Sequence, residues 1–326
     1  MEAKPMRILV ATDGSRPAHA ALDLVGRTAW PRGSTVRIVE VVETETQVSG
    51  VWFAAGLAGW DDLESSLLRH AAATVSASER HLAGHHFEVE SRVLQGRPSK
   101  EINGEARSFA ADLVVLGSRG HGTIEAMVLG SVSAEVVAES RVPVLVVRGS
   151  TPSLEHVLVA SDGSPAAGAA LDLVKRWPAF ADSSVKVMSV SDPGGPWWAG
   201  FPAPGAAESS GLYLAAVEEA NEAHAALARE AARDLQTNGI DATAISVVGQ
   251  PASEIIEIAT TWPADAIVMG TRGRHGLSRL LLGSVARNVV LHAHCSVLVV
   301  PLPAVTRYED TDEGVEPVLH GTPLGS

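Results

Sequence analysis

The sequence predicts an α/β protein built from two tandem domains, each a parallel sheet with helices on both faces. Three observations carry this. Apolar runs of strand length alternate with segments of helix length. The runs are continuous in Val, Leu and Ile, as strands are when both faces are covered. The whole series also occurs twice. MRILVATDGS (6–15) returns as HVLVASDGS (156–164), ADLVVLGSRG (111–120) as ADAIVMGTRG (264–273), and VPVLVVRG (142–149) as CSVLVVPL (295–302). A repeat of about 150 residues is a duplicated domain, not the 20–50-residue unit of a solenoid. The domains are expected at 1–149 and 155–302, joined by the Gly/Ser/Pro-rich GSTPSL (149–154).

Each element of the first half has a local reason. RILVAT (7–12) is a short buried strand, and PAHAALDLVGRTAW (17–30) a helix with Pro17 in its first turn. TVRIVEVV (35–42) is the second strand. DDLESSLLRHAAATVSASERHLA (61–83) spaces apolar residues three and four apart, with Asp61 or Asp62 available to cap it. FEVESRVL (87–94) alternates like a half-buried strand, and SKEINGEARSFA (99–110) is helical. DLVVLG (112–117) and PVLVVR (143–148) are buried strands with a further helix between them. The second half repeats this order. The tail 303–326 lacks apolar periodicity and is expected to be disordered.

Composition excludes several classes. Of 326 residues, 46% are apolar, enough for a core in each half, yet no apolar run reaches the roughly 18 residues of a membrane span. The opening MEAKPMRILVATDGS lacks the ordered segments of a signal peptide, so none is expected. Cys295 is the single cysteine, which rules out an intrachain disulfide and fits a reducing cytoplasm. A net charge of −13 argues against nucleic acid as a partner, because phosphate backbones require a basic stripe.

In parallel sheets, ligands bind at the carboxyl ends of strands, where the strand order reverses. Two places per half qualify: the end of the first strand (ATDGS, ASDGS) and the end of the fourth. The fourth ends in GSRGHGTIEAMVLGSVS (117–133), echoed by GTRGRHGLSRLLLGSVA (270–286). Neither the dinucleotide fingerprint G-x-G-x-x-G nor the P-loop G-x-x-x-x-G-K-[ST] is present. What stands instead is Gly117-x-x-Gly120, nine residues, then Gly130-Ser131, and again Gly270-x-x-Gly273, nine residues, then Gly283-Ser284. Glycines permit positive φ and bring backbone N–H groups near an anion. The second Gly-Ser pair opens a helix, whose N-terminus is a ready phosphate site.

With an early strand ending in Asp and a closing VPVLVV strand, G-x2-G-x9-G-[ST] resembles the ATP-binding branch of the universal stress protein family. The resemblance covers 6–148 and 156–301. It implies a doubly wound, five-stranded parallel sheet in the order 3-2-1-4-5 in each half, the adenine-nucleotide alpha-hydrolase-like fold. It also implies one nucleotide site per half, ATP as ligand, and Mg²⁺ with it. The family's aspartate after the first strand matches Asp13 and Asp162, beside the adenosine and metal-bound phosphates. The residue whose backbone meets the adenine matches Val41 and Val190. The phosphate loop matches Gly117, Gly120, Gly130, Ser131, Val132 and Ser133, and then Gly270, Gly273, Gly283, Ser284 and Val285. Ala286 stands opposite Ser133, so the second site is expected to lack one hydroxyl. The family pairs domains along the last strand, which implies an intramolecular pseudo-dimer or a homodimer.

Several residues carry two readings. Asp13 and Asp162 serve as ligands or as helix N-caps. The glycines after the fourth strand hold phosphate or simply turn the chain. Arg119 and Arg272 meet phosphate or solvent. Trp52, Phe53 and Trp60, with Trp197, Trp198 and Phe201, cover the nucleotide as lids or pack on the long helix. His85-His86 and His292-x-His294 lack a third ligand at metal spacing. No Walker lysine is present and no water-positioning Glu or Gln repeats beside the glycine loop, so binding with slow hydrolysis at most is expected. The function is then that of a nucleotide-responsive stress or regulatory protein. The alternatives are an autokinase or adenosine-phosphate hydrolase of the same fold class, or a scaffold with empty sites.

Overall fold

The computed structural model describes residues 4–43, 60–118, 120, 129–149, 153–192, 209–271, 273 and 282–302. The aromatic residues proposed as lids, other than the helical position Trp60, lie outside them, as does the tail from 303. The first half runs β1 (Arg7–Ala11), α1 (Arg16–Arg27), β2 (Thr35–Val42), α2 (Trp60–Leu82), β3 (Glu88–Gln95), α3 (Pro98–Ser108), β4 (Leu113–Gly117), α4 (Ser131–Glu139) and β5 (Val144–Val147). The second repeats it: β6 (His156–Ala160), α5 (Pro165–Arg176), β7 (Ser184–Ser191), α6 (Ser209–Thr237), β8 (Asp241–Val248), α7 (Pro251–Thr261), β9 (Ala266–Gly270), α8 (Ser284–His292) and β10 (Ser296–Val300). A short 3₁₀ turn at Pro178–Phe180 follows α5. Helix ends differ from the sequence expectation by one to three residues. The α2 helix already includes Asp61 and Asp62, so neither caps its start.

Strand order follows burial. β1 lies between β2 and β4 in parallel register, and Ile8, Leu9 and Val10 are wholly buried. β3 and β8 form the two outer edges, and there the burial alternates along the strand. This alternation matches the half-buried pattern of EVESRVLQ.

The two five-stranded sheets join along their last strands into one. The ten strands run β3-β2-β1-β4-β5-β10-β9-β6-β7-β8, so each half has the order 3-2-1-4-5 and the halves meet edge to edge. β5 and β10 pair antiparallel, with Leu145 opposite Leu298, Val144 opposite Val299 and Val146 opposite Val297. Leu145 and Leu298 hold equivalent places in the duplication, as a pseudo-twofold axis requires. Pairing satisfies apolar edges that would otherwise stand open. Each face of the sheet carries a core cluster that continues across the seam. One joins Ile8, Leu22 and Leu82 to Val159, Leu173 and Leu235; the other joins Leu116, Val136 and Val146 to Met269, Val289 and Val299.

The seam has two further ties. Trp30 meets Trp177 edge to face, ring centres 6.5 Å apart. Arg148, just after β5, donates from its backbone to Ser296 Oγ at 3.2 Å. Its guanidinium donates to the carbonyls of Ala293 and Val290, the latter at 2.6 Å, closing the C-terminus of α8. Positive charge there complements the helix dipole. The place equivalent to Arg148 after β10 is Pro301, so this tie exists on one side only.

Candidate nucleotide site

The strand-end turns are built alike in both halves. Thr12 N–H continues the ladder to the Val39 carbonyl at 2.9 Å, and Ser161 N–H does the same to Met188 at 2.8 Å. Asp13 Oδ1 then accepts from Ser15 N–H, and Asp162 Oδ1 from Ser164 N–H, each at 3.0 Å. Between them Gly14 and Gly163 adopt φ of 76° and 73°, a left-handed turn that favours glycine. Ser15 and Ser164 cap the following helices, accepting from Ala18 N–H at 3.3 Å and Ala167 N–H at 3.2 Å. The structure thus corrects the capping alternative: the serines cap, and the aspartates shape the turn. Sequence reasoning passed over these serines, although the D-G-S string carried the signal.

The aspartates also join the two predicted places. A Cβ built on Gly120 would collide with Asp13 Oδ2, and one on Gly273 would stand 2.6 Å from Asp162 Oδ2. The carboxylate of the first strand's turn therefore lies directly against the loop after the fourth strand.

Gly117 and Gly270 have a different reason to be glycine. A Cβ on Gly117 would lie 2.6–2.8 Å from backbone atoms of Pro17 and Ala18. One on Gly270 would lie equally close to Ala166. Each holds strand and helix N-terminus in close contact. The expected positive φ is not found at the glycines opening the later helices: Gly130 and Gly283 sit at −63°.

Gly130 N–H donates to the Ser118 carbonyl and Gly283 N–H to the Thr271 carbonyl, both at 2.8 Å. These bonds close the base of each loop, so neither N–H is aimed at a ligand. Neither glycine supplies a side-chain cap. The first intrahelical bonds come from Ala134 and Arg287. The N–H groups of Ser131, Val132 and Ser133, and of Ser284, Val285 and Ala286, therefore have no intrahelical acceptor. Ser131 and Ser284 are exposed. Ser133 is not: its buried hydroxyl donates to the Gly117 carbonyl at 2.9 Å. A hydroxyl has one proton, so Ser133 braces the loop where it was expected to donate to phosphate. Ala286 is buried in its place.

Val41 and Val190 occupy the carboxyl ends of β2 and β7, half-buried against the same core cluster. Arg119 and Arg272 lie outside the described residues.

The sequence pattern of the universal stress protein family matches residues 5–148 and again 153–301. The chain belongs to the universal stress protein family. Two universal stress proteins of Mycobacterium tuberculosis match nearly end to end. MT2052 is 28% identical over 91% of this chain and 95% of its own. Rv2005c is 30% identical over 88% and 93%. A crystal structure of a universal stress protein from Archaeoglobus fulgidus superposes with a TM-score of 0.60 at 21% identity, covering 91% of this chain and 98% of that one. The adenine-nucleotide alpha-hydrolase-like fold is thereby established in tandem.

One polar cluster beside the first site was not anticipated. Ser99 donates to Glu135 Oε2 at 2.6 Å, and Arg97 Nη2 lies 2.8 Å from the same oxygen. These two contacts, Ser99 first, hold the Glu135 carboxyl below the usual carboxylate range. Their counterparts in the second half are Gln250, Ala252 and Asn288. Among the described residues no cluster of three His, Cys, Asp or Glu side chains could hold a metal ion, and no helix is long and apolar enough to cross a membrane.

Proposed function

We propose that each half of this universal stress protein binds one adenine nucleotide, ATP by preference. The chain then acts as a nucleotide-responsive regulatory or stress-resistance protein with at most slow hydrolysis. The observation that carries this reading is the repeated geometry at the carboxyl edge. In both halves an aspartate presses on the glycine loop, next to a helix N-terminus that no side chain caps.

In the first half the adenine would lie by Val41, the ribose by Asp13, and the phosphates over Ser131 and Val132. Gly117, Gly120 and Gly130 set the loop's path. In the second half the same parts are Val190, Asp162, Ser284 and Val285, with Gly270, Gly273 and Gly283. Arg119 and Arg272 are the loop's own candidate phosphate donors. Magnesium would arrive on the nucleotide, with Asp13 or Asp162 meeting it through water. A micromolar complex corresponds to about −8 kcal/mol. Four or five charge-assisted hydrogen bonds, at roughly 1.5–3 kcal/mol each, total about 6–15 kcal/mol, which brackets that figure before ordering costs are met. The seam supplies an intramolecular partner for each half.

The test is mass analysis of the small molecules that co-purify with the chain, with their stoichiometry. Two nucleotides per wild-type chain are expected. Ser131→Asp with Ser284→Asp places carboxylates where phosphate would sit while favouring both helix N-termini. The doubly substituted chain is expected to fold and to carry none. Nucleotide retained at wild-type level in that variant refutes the site. Steady release of phosphate or AMP above about one per second, a low value for enzymes, would favour the hydrolase reading instead.

A further inference from the structure

We propose that the Arg97–Glu135 pair sets the charge selectivity of the first half's nucleotide site, and that the second half lacks this control. The inference rests on the nucleotide reading and adds a specificity determinant to it.

Glu135 stands four residues after Ser131 on α4. Residues so spaced share a helix face, about 6 Å apart along the axis, and their side chains lean toward the N-terminus. The Glu135 carboxylate is thus directed toward the turn where the phosphates would dock. An anion there repels another anion. Arg97 stands before α3 and reaches across to Glu135, while Ser99 holds the same oxygen from the buried side. The pair is close to neutral as a unit, and the phosphate site keeps the field of its helix end. In the second half Asn288 carries no charge, and Gln250 has none to balance. At this pair of positions the first site is neutral by compensation and the second by composition, while Arg287 adds a positive charge to the first turn of α8 with no counterpart at Ala134. Only in the first half does losing one native charge leave its partner unbalanced.

One uncompensated elementary charge about 8 Å from a phosphate charge, at an effective dielectric of about 40, changes affinity about fivefold. A ligand with several phosphate charges loses more, and neutral adenosine loses nothing. The effect fades with salt, because the pair is half exposed.

The experiment is two-site calorimetric titration of the full chain at low salt with ATP and, separately, adenosine. Arg97→Gln is expected to weaken ATP at one of the two sites at least fivefold and to leave adenosine within twofold. Adding Glu135→Asn to the same chain, which copies the second half, is expected to restore ATP. Asn288→Glu reads the same rule where no native contact is removed: it should weaken the other site, and Gln250→Arg beside it should recover the loss. The proposal is overturned if Arg97→Gln leaves ATP binding unchanged, if adenosine weakens equally, or if Glu135→Asn fails to restore. A wild-type chain that binds nucleotide at neither site overturns the nucleotide reading itself, and this inference with it.

Discussion

Gly117→Ala tests the reason for the first glycine of the loop. The added methyl would stand 2.6 Å from the Pro17 carbonyl carbon, 2.7 Å from Ala18 N and 2.8 Å from the Pro17 oxygen. Comfortable contacts between such atoms lie near 3.5–4.0 Å, so α1 has to retreat from β4 by roughly 1 Å. That retreat loosens Ala18, Ala21, Leu22 and Val25, all buried under α1. Overpacking of this kind costs about 1–3 kcal/mol. At roughly 2–4 °C per kcal/mol for a domain of this size, the melting temperature should fall by about 2–12 °C. The assay is urea or thermal unfolding with nucleotide removed, so that ligand does not contribute. Gly270→Ala serves as an internal repeat, because its methyl would stand at the same distances from Ala166. An unchanged midpoint without nucleotide, with a loss that appears only in its presence, would refute the packing argument and return both glycines to the ligand.

Three other outcomes follow from the same geometry. Arg148→Gln removes the charged donor from the last carbonyls of α8 and should lower stability by about 1–3 kcal/mol; an unchanged urea midpoint would show that water replaces the guanidinium without loss. Burial pushes the Glu105 carboxyl up, and hydrogen bonds from Arg37 and Arg92 more than undo this, leaving it below its ordinary value. Its contribution is then present above the unfolded carboxylate value near 4.3 and is lost as pH falls through the lower folded value. Glu105→Gln should therefore flatten the acid limb of a stability–pH curve, and a limb as steep as wild type would count against the network. Burial pushes the Cys295 thiol up to about 11. Iodoacetamide at pH 8 should leave it unmodified in the folded chain and label it in urea, and rapid native labelling would contradict the burial.

The strand series was legible because central strands covered on both faces must be apolar throughout, and RILVA, LVVLG and VLVV say so directly. The duplication was legible for the same reason, since both copies obey one packing rule. The site was legible by place and less so by role. Glycine looks the same in a sequence whether it lets a helix approach, as at Gly117, or turns left-handed, as at Gly14. Serine likewise looks the same whether it caps a helix, as Ser15 does, or braces a strand end, as Ser133 does. The Arg148 tie was illegible because its partners are backbone carbonyls, which leave no mark in residue identity. The Arg97–Glu135 contact was illegible because it joins the residue before α3 to α4, with a helix, a strand and a loop between them in the chain.

The seam between β5 and β10 bears on how such a molecule can change. In an assembly of identical chains, a substitution at a twofold interface appears on both sides at once, and its partner must accept it twice. Here each side of the axis is encoded separately. Arg148 faces no second arginine, because Pro301 fills that place. Arg97 and Glu135 form a charged pair where the second half has Gln250 and Asn288. Covalent fusion also keeps the partner present at any dilution, so the association does not depend on how much protein the cell makes. One binding mould can thus be kept while its twin drifts toward a different ligand or threshold.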